Sequence, residues 1–263
     1  MSFPPGGSDV GQVGGGPCAA PVPADDSTYW TFYEQVSARQ LAAWAPTSPS
    51  RVLDVSGGRA RFAAQLVAAG HEVVHVCAAP GSQVDLAEPG PGRLLPVVAD
   101  ARALGWLRDS CVDAVLAESR ALSMCLATEV TVADLRRVLR PGGRLLLVVD
   151  SLGLGLARLA EQGRWAELAD VPSADVVLVP EGPDGAMTRC FWPEELTALL
   201  TDAGLDVDWV RPRTVPTPAA VERALAHGGR AALDALVTTE LSLVQRSGDS
   251  PGLHLVASAR RPG

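Results

Sequence analysis

The chain has 263 residues, enough for one α/β domain with a fully covered sheet, and a net charge of −8 with no basic run. That balance argues against unassisted binding to nucleic-acid phosphates, because such affinity comes from clustered Lys and Arg. Lys, Ile and Asn are absent, a bias that reads as a high-G+C bacterial gene.

Residues 1–24 are rich in Gly, Pro, Ser and Ala with little apolar content, and they read as a disordered tail before a domain over 25–263. A helix is predicted from 27 to 44, opened by the Asp/Ser/Thr cluster and closed before Pro46. Strand and helix then alternate. Strand 51–55 leads to helix 58–69, strand 72–77 to a short helix near 82–88, and strand 94–98 to the loop at Asp100. Strand 112–117 leads to helix 129–139, which ends at Pro141-Gly142-Gly143 before a fully apolar fifth strand, as a central parallel strand should be. Beyond it the pattern predicts a helix over 153–169 and a hairpin of 176–179 with 186–191 across an Asp-Gly turn. A helix opened by Pro193, a strand over 206–211, a long helical region over 218–243 and a last strand over 253–260 complete the chain. Such alternation implies right-handed βαβ crossovers in a parallel sheet.

Arg51-Val-Leu-Asp-Val-Ser-Gly-Gly-Arg-Ala-Arg-Phe62 carries the most information: a buried strand, a small-residue turn and the start of an amphipathic helix. Small residues at the carboxyl end of a strand let backbone N–H groups approach a ligand, and open α/β sheets bind nucleotides there. The pattern Asp54-x-Ser56-x-Gly58-x-Ala60 resembles motif I of the class I S-adenosylmethionine (SAM)-dependent methyltransferases, with Ser and Ala in place of its first and third glycines. Leu139-Arg-Pro-Gly-Gly-Arg-Leu145 and the Trp192-Pro-Glu-Glu-Leu196 phrase are similar to the small-molecule branch of that family. The resemblance implies a Rossmann-like fold, with a seven-stranded, mostly parallel sheet of order 3-2-1-4-5-7-6 flanked by helices. It also implies a cofactor half over about 51–150 and a substrate half over 151–263 joined by the leading helix.

Carried over position by position, the resemblance implies that Asp54, Ser56, Gly57 and Gly58 hold the amino-acid end of SAM. Asp100 and Ala101 would meet the adenine, with Asp100 accepting from its amino group. The residues alone also allow Asp100 to cap the short turn after it. Cys77 stands where the family places an acid for the ribose hydroxyls. A thiol is a weak acceptor there, and Asp85 or Glu88 are the nearby acids that could compensate. His75, on the same strand face, reads as core packing. Past the fourth strand, Glu118 could serve as a general base and Arg120 could bind an anionic acceptor, or the two could form an ordinary ion pair. Tyr29 and Tyr33 on the leading helix read either as a lid over the acceptor or as a docking face, and Trp165 and Trp192 could line the same cavity.

Five widely spaced cysteines without a C-x-x-C suggest buried free thiols in a reducing cytoplasm and no metal site. No 18-residue apolar run suggests a membrane span. Two functions follow: a SAM-dependent methyltransferase acting on a small-molecule acceptor, or a pseudo-methyltransferase that has lost SAM use and serves as a binding or regulatory protein. A relative that retains SAM but catalyses a different reaction is a third.

Overall fold

The computed structural model describes residues 28–57, 62–78, 90–181, 185–246 and 252–263. The sequence-read tail, Gly58, Ala60, Asp85, Glu88 and the helix near 82–88 lie outside the described residues. In chain order the elements are α1 (Thr28–Trp44), β1 (Arg51–Asp54), α2 (Ala63–Ala68), β2 (Glu72–Cys77), β3 (Arg93–Val98), β4 (Val112–Ala117), α3 (Thr128–Val138) and β5 (Leu139–Ser151). They continue with α4 (Leu152–Glu161), α5 (Trp165–Asp170), β6 (Val177–Pro180), β7 (Met187–Phe191), α6 (Pro193–Asp202), β8 (Asp206–Arg213), α7 (Pro218–Arg246) and β9 (His254–Arg260).

β1 pairs in parallel with both β2 and β4, β2 with β3, and β4 with β5. β9 runs antiparallel between β5 and β8. The seven-strand path is therefore the predicted one, with β9 inserted as the seventh strand. Among the described residues the sheet nevertheless has nine strands rather than seven. The extra pair is the β6–β7 hairpin, whose β7 joins β5 in parallel at Asp150 and Ser151. The pairing of β4 with β5 ends at Ala117↔Leu147, while β9 holds the other edge of β5 as far as Asp150. The hairpin occupies the edge that β4 vacates, which sets it over the carboxyl end of β4.

Helices cover both faces. On one face β1, β4 and β5 pack against Val132, Leu135 and Val138 of α3 and Leu196, Leu199 and Leu200 of α6. The inward residues of α3 recur every three or four positions, and Arg136 and Arg137 fill its last turn, where cations favour the helix dipole. The opposite face is closed by Leu41 and Trp44 of α1 and by Ala63, Leu66 and Val67 of α2. α6 begins at Pro193, and the Glu195 carboxylate accepts the Trp192 amide at 2.9 Å.

Two predicted helices are broken. Gly163, at φ 68, separates α4 from α5, and Gly229, at φ 51, interrupts α7. Both are backbone positions that only glycine takes cheaply. α1 and α7 meet through Tyr29, Phe32, Val36, Val221, Leu233 and Val237. Trp165 and Trp192 are 65% and 51% exposed, so neither lines an interior cavity in this structure.

Candidate functional site

The carboxyl ends of β1 and β4 lie side by side at the point where the strand order reverses, the position at which open α/β sheets bind ligands. At the end of β1 the buried Asp54 carboxylate divides its two oxygens. Oδ1 accepts the Ser56 amide at 3.0 Å, and Oδ2 accepts from His75 Nδ1 at 3.0 Å. The left-handed turn falls on Gly57, at φ 69, and among the described residues none beyond its chain neighbours lies within 4 Å of where a Cβ would stand. Ser56 has no positive φ, so its Cβ causes no strain. Its hydroxyl instead accepts the Glu118 amide at 2.9 Å, tying the turn to the end of β4.

Glu118 is fully buried and its carboxylate is surrounded by donors. Arg213 Nη1 donates to Oε1 at 2.8 Å, the Ser119 amide donates to Oε2 at 3.1 Å, and Tyr33 Oη lies 3.5 Å from Oε2. Arg213, at the end of β8, is itself fully buried. It also donates to three residues of α1: Gln40 at 2.7 Å, Ser37 at 2.8 Å and Tyr33 at 3.2 Å. Tyr33, Ser37 and Gln40 recur at helical spacing, so one face of α1 grips one guanidinium. Burial would lower the Arg213 pKa, but the Glu118 charge raises it. Burial, with Glu118 beside it, pushes the Tyr33 phenol well up.

A second charged cluster sits at the end of β5. The buried Asp150 carboxylate receives Arg120 at 2.5 and 2.8 Å, Arg158 at 2.9 Å and His254 Nδ1 at 3.2 Å. Arg120 also bonds Glu181, at the end of β6, at 2.6 Å. Burial alone would raise the Asp150 pKa, but the His254 hydrogen bond and the Arg120 charge hold it well below the carboxylate range. Burial pushes His254 down, outweighing the upward pull of Asp150. Glu118 and Arg120 therefore do not pair with each other; each has its own buried partner. The loop between them is strained, because Ser119 and Arg120 both take left-handed φ of 57° and 62°. Such non-glycine residues cost about 1–3 kcal/mol each and cluster at functional sites. The Glu118 bond to the Ser119 amide and the Arg120 fork on Asp150 hold this loop.

At the end of β2, the buried Cys77 thiol lies 3.5 Å from the Val97 carbonyl, to which it donates. Among the described residues no carboxylate takes that position. Past β3, Asp100 is 42% exposed on its side chain. It accepts the Arg102 amide at 2.9 Å and is forked by the Arg102 guanidinium at 2.8–3.1 Å, so it does cap its own turn. The Arg102 hydrogen bond lowers its pKa. Ala101 beside it is half-buried against the β-sheet core. Tyr29, near the start of α1, is buried in the α1–α7 contact, and burial raises its pKa.

Sequence reading missed Arg213, Asp150, His254 and the bond from His75 to Asp54. Asp150 carried a usable signal: like Asp54 and Glu118, it is an acid closing an apolar strand. Arg213 had none, since its partners lie 95 and more residues away in the chain.

The architecture is that of the class I SAM-dependent methyltransferases. Residues 53–147 match the family model described as a methyltransferase domain. Among solved structures, an S-adenosylmethionine-dependent methyltransferase from Mesorhizobium loti is similar at TM-score 0.57 and 16% identity, over 90% of this chain and 99% of that one. The 1,6-didemethyltoxoflavin-N1-methyltransferase of Burkholderia thailandensis, solved with 1,6-didemethyltoxoflavin and S-adenosylhomocysteine (SAH), is similar at TM-score 0.56 and 22% identity, over 89% and 81%. The cyclase SpnF is similar at TM-score 0.52 and 19% identity, over 87% and 82%. At these identities the likeness is one of fold. No curated protein matches the chain.

Proposed function

We propose that this chain is a SAM-dependent methyltransferase acting on a small-molecule acceptor. One observation carries the reading: the Asp54–Ser56–Gly57 turn, fixed from below by a buried carboxylate and, among the described residues, open where the Gly57 Cβ would stand, at the switch point of the sheet. The residues fit the amino-acid and adenine ends of SAM. Ser56, Gly57 and Gly58 would hold the former and Asp100 with Ala101 the latter, while Cys77 would meet the ribose through a thiol alone. When bound, SAM supplies an electrophilic methyl group on sulfur, and its transfer to a nucleophile demands chiefly proximity and alignment.

The protein's own part is then positioning. The β1–β5 half, about 51–150, holds the cofactor, and α1 with residues 151–263 covers the acceptor. Tyr29, Tyr33, Glu118 and Arg120 border that side through their places on α1 and at the end of β4. Glu118 already accepts from the buried Arg213 and the Ser119 amide, and Asp150 from Arg120, Arg158 and His254, so neither carboxylate is left free to face an acceptor. The acceptor atom is accordingly one that needs no strong protein base, such as a neutral amine or a readily ionised thiol or phenol. Arg120, held by two carboxylates, contributes structure before it contributes anion binding.

A second reading, a methyltransferase fold that no longer uses SAM, draws on the departures at Ser56, Ala60 and Cys77, of which Cys77 weighs most because its thiol offers the ribose no charged acceptor. The fold also serves the cyclase SpnF, so architecture does not fix the reaction. Transfer of labelled methyl from SAM to a panel of small amines, thiols and phenols tests the preferred reading. Label in a product that depends on the protein supports it, whereas SAM binding without transfer to any class of acceptor counts against it.

A further inference from the structure

We propose that His75 is a positioning residue for the cofactor turn. It fixes the Asp54 carboxylate so that Ser56 and Gly57 present their backbone to the amino-acid end of SAM or SAH. This rests on the reading above, and goes beyond it by giving a role to a residue on a neighbouring strand.

Asp54 and His75 are register partners on parallel strands β1 and β2, and their side chains are 1% and 0% exposed. Strand alternation puts His75 on the same face as Val73 and Cys77, both buried apolar residues. With the carboxylate oxygen as acceptor, the 3.0 Å contact is assigned to the tautomer that carries its proton on Nδ1 and donates to Oδ2. With that oxygen satisfied, Oδ1 is left aimed at the Ser56 amide at 3.0 Å. Ser56 Oγ in turn accepts from Glu118, so a continuous chain of hydrogen bonds runs from β2 through the β1 turn to the end of β4. Gly57 has no side chain to fix the turn, and among the described residues beyond its chain neighbours none packs at its Cβ position. Among the described residues the turn is held by the Val55 amide on the Leu116 carbonyl and by the two bonds of Ser56, one of which depends on the orientation that His75 gives to Asp54.

Three variants separate this role from core packing. His75→Asn places an amide N–H where Nδ1 stands. His75→Gln places one nearer Nε2, and His75→Val fills the space without a donor. Two readouts are taken for each: amide hydrogen exchange of the Ser56–Gly57 segment without ligand, and calorimetric titration with SAH. In the Val and Gln proteins the segment is expected to exchange faster and SAH to bind about tenfold more weakly, a loss of about 1.4 kcal/mol. The Asn protein should stay within about threefold of the wild type in both readouts, on the same scale. If the Val protein does not fold, the contrast between Asn and Gln decides. Equal exchange in all four proteins, or an Asn protein as impaired as Gln, overturns the proposal. Should the wild type itself bind no SAH, the cofactor reading fails, and the exchange contrast still supports or overturns the role of His75 in the turn.

Discussion

Arg213 and Glu118 meet at 2.8 Å with both side chains wholly withdrawn from solvent. The pair joins the ends of β8 and β4, and through Tyr33, Ser37 and Gln40 it fastens α1 over the carboxyl end of the sheet. Removing one partner of such a pair strands a buried charge. Arg213→Met is thus expected to cost about 3–5 kcal/mol in urea-induced unfolding. Adding Glu118→Leu should recover part of that loss, because the stranded charge goes with it. A double variant weaker by the sum of the two single costs would contradict this coupling.

On the proposed cofactor placement, Cys77→Asp supplies a carboxylate to the ribose hydroxyls. A charged acceptor is worth about 1.5–3 kcal/mol, so SAH affinity should rise roughly tenfold to a hundredfold in calorimetric titration. Some thermal stability should be lost, since the new carboxylate replaces a thiol that is only 4% exposed. Unchanged affinity would mean that the ribose does not sit at the end of β2.

Ser56 stands where the motif it resembles has a glycine, and it accepts the amide of the buried Glu118. Ser56→Ala leaves that N–H unsatisfied and should destabilise the fold by about 1–3 kcal/mol, read from the urea midpoint at constant slope. Ser56→Gly should be no more stable than the alanine variant, although it restores the family's residue.

His254 is buried and its pKa is lowered. Its folded state binds fewer protons than the unfolded chain, so its contribution to stability is complete above the unfolded value of about 6.5. That contribution is lost as pH falls through and below that value. His71, also pushed down by burial, acts in the same direction. The melting temperature should therefore drop from pH 7.5 to pH 5.5 (about one unit either side of the free imidazole value), and His254→Asn should flatten the slope. A wild-type melting temperature constant over that range would contradict the burial of a neutral imidazole.

The strands were legible because a buried parallel sheet demands apolar runs bounded by turns, and the runs at Val52–Val55, Val73–Cys77, Val112–Ala117 and Leu145–Val149 have that form. The hairpin was legible too, but not its place in the sheet. Its pairing with β5 depends on where β4 stops, a three-dimensional fact without a local signature. At the site, Asp54 and Ser56 were legible from their spacing. The buried charges were not, because Glu118 and Arg213 are 95 residues apart and Asp150 and His254 are 104 apart. A glutamate followed two residues later by an arginine suggested a local pair. The strand geometry sends them to different partners.

Calorimetric titration of the purified protein with SAH tests the central claim most directly. Saturable one-to-one binding with a micromolar dissociation constant, weakened by Asp54→Asn, is the predicted result. Absence of binding up to millimolar concentration would contradict it, and would make this a methyltransferase fold put to another use.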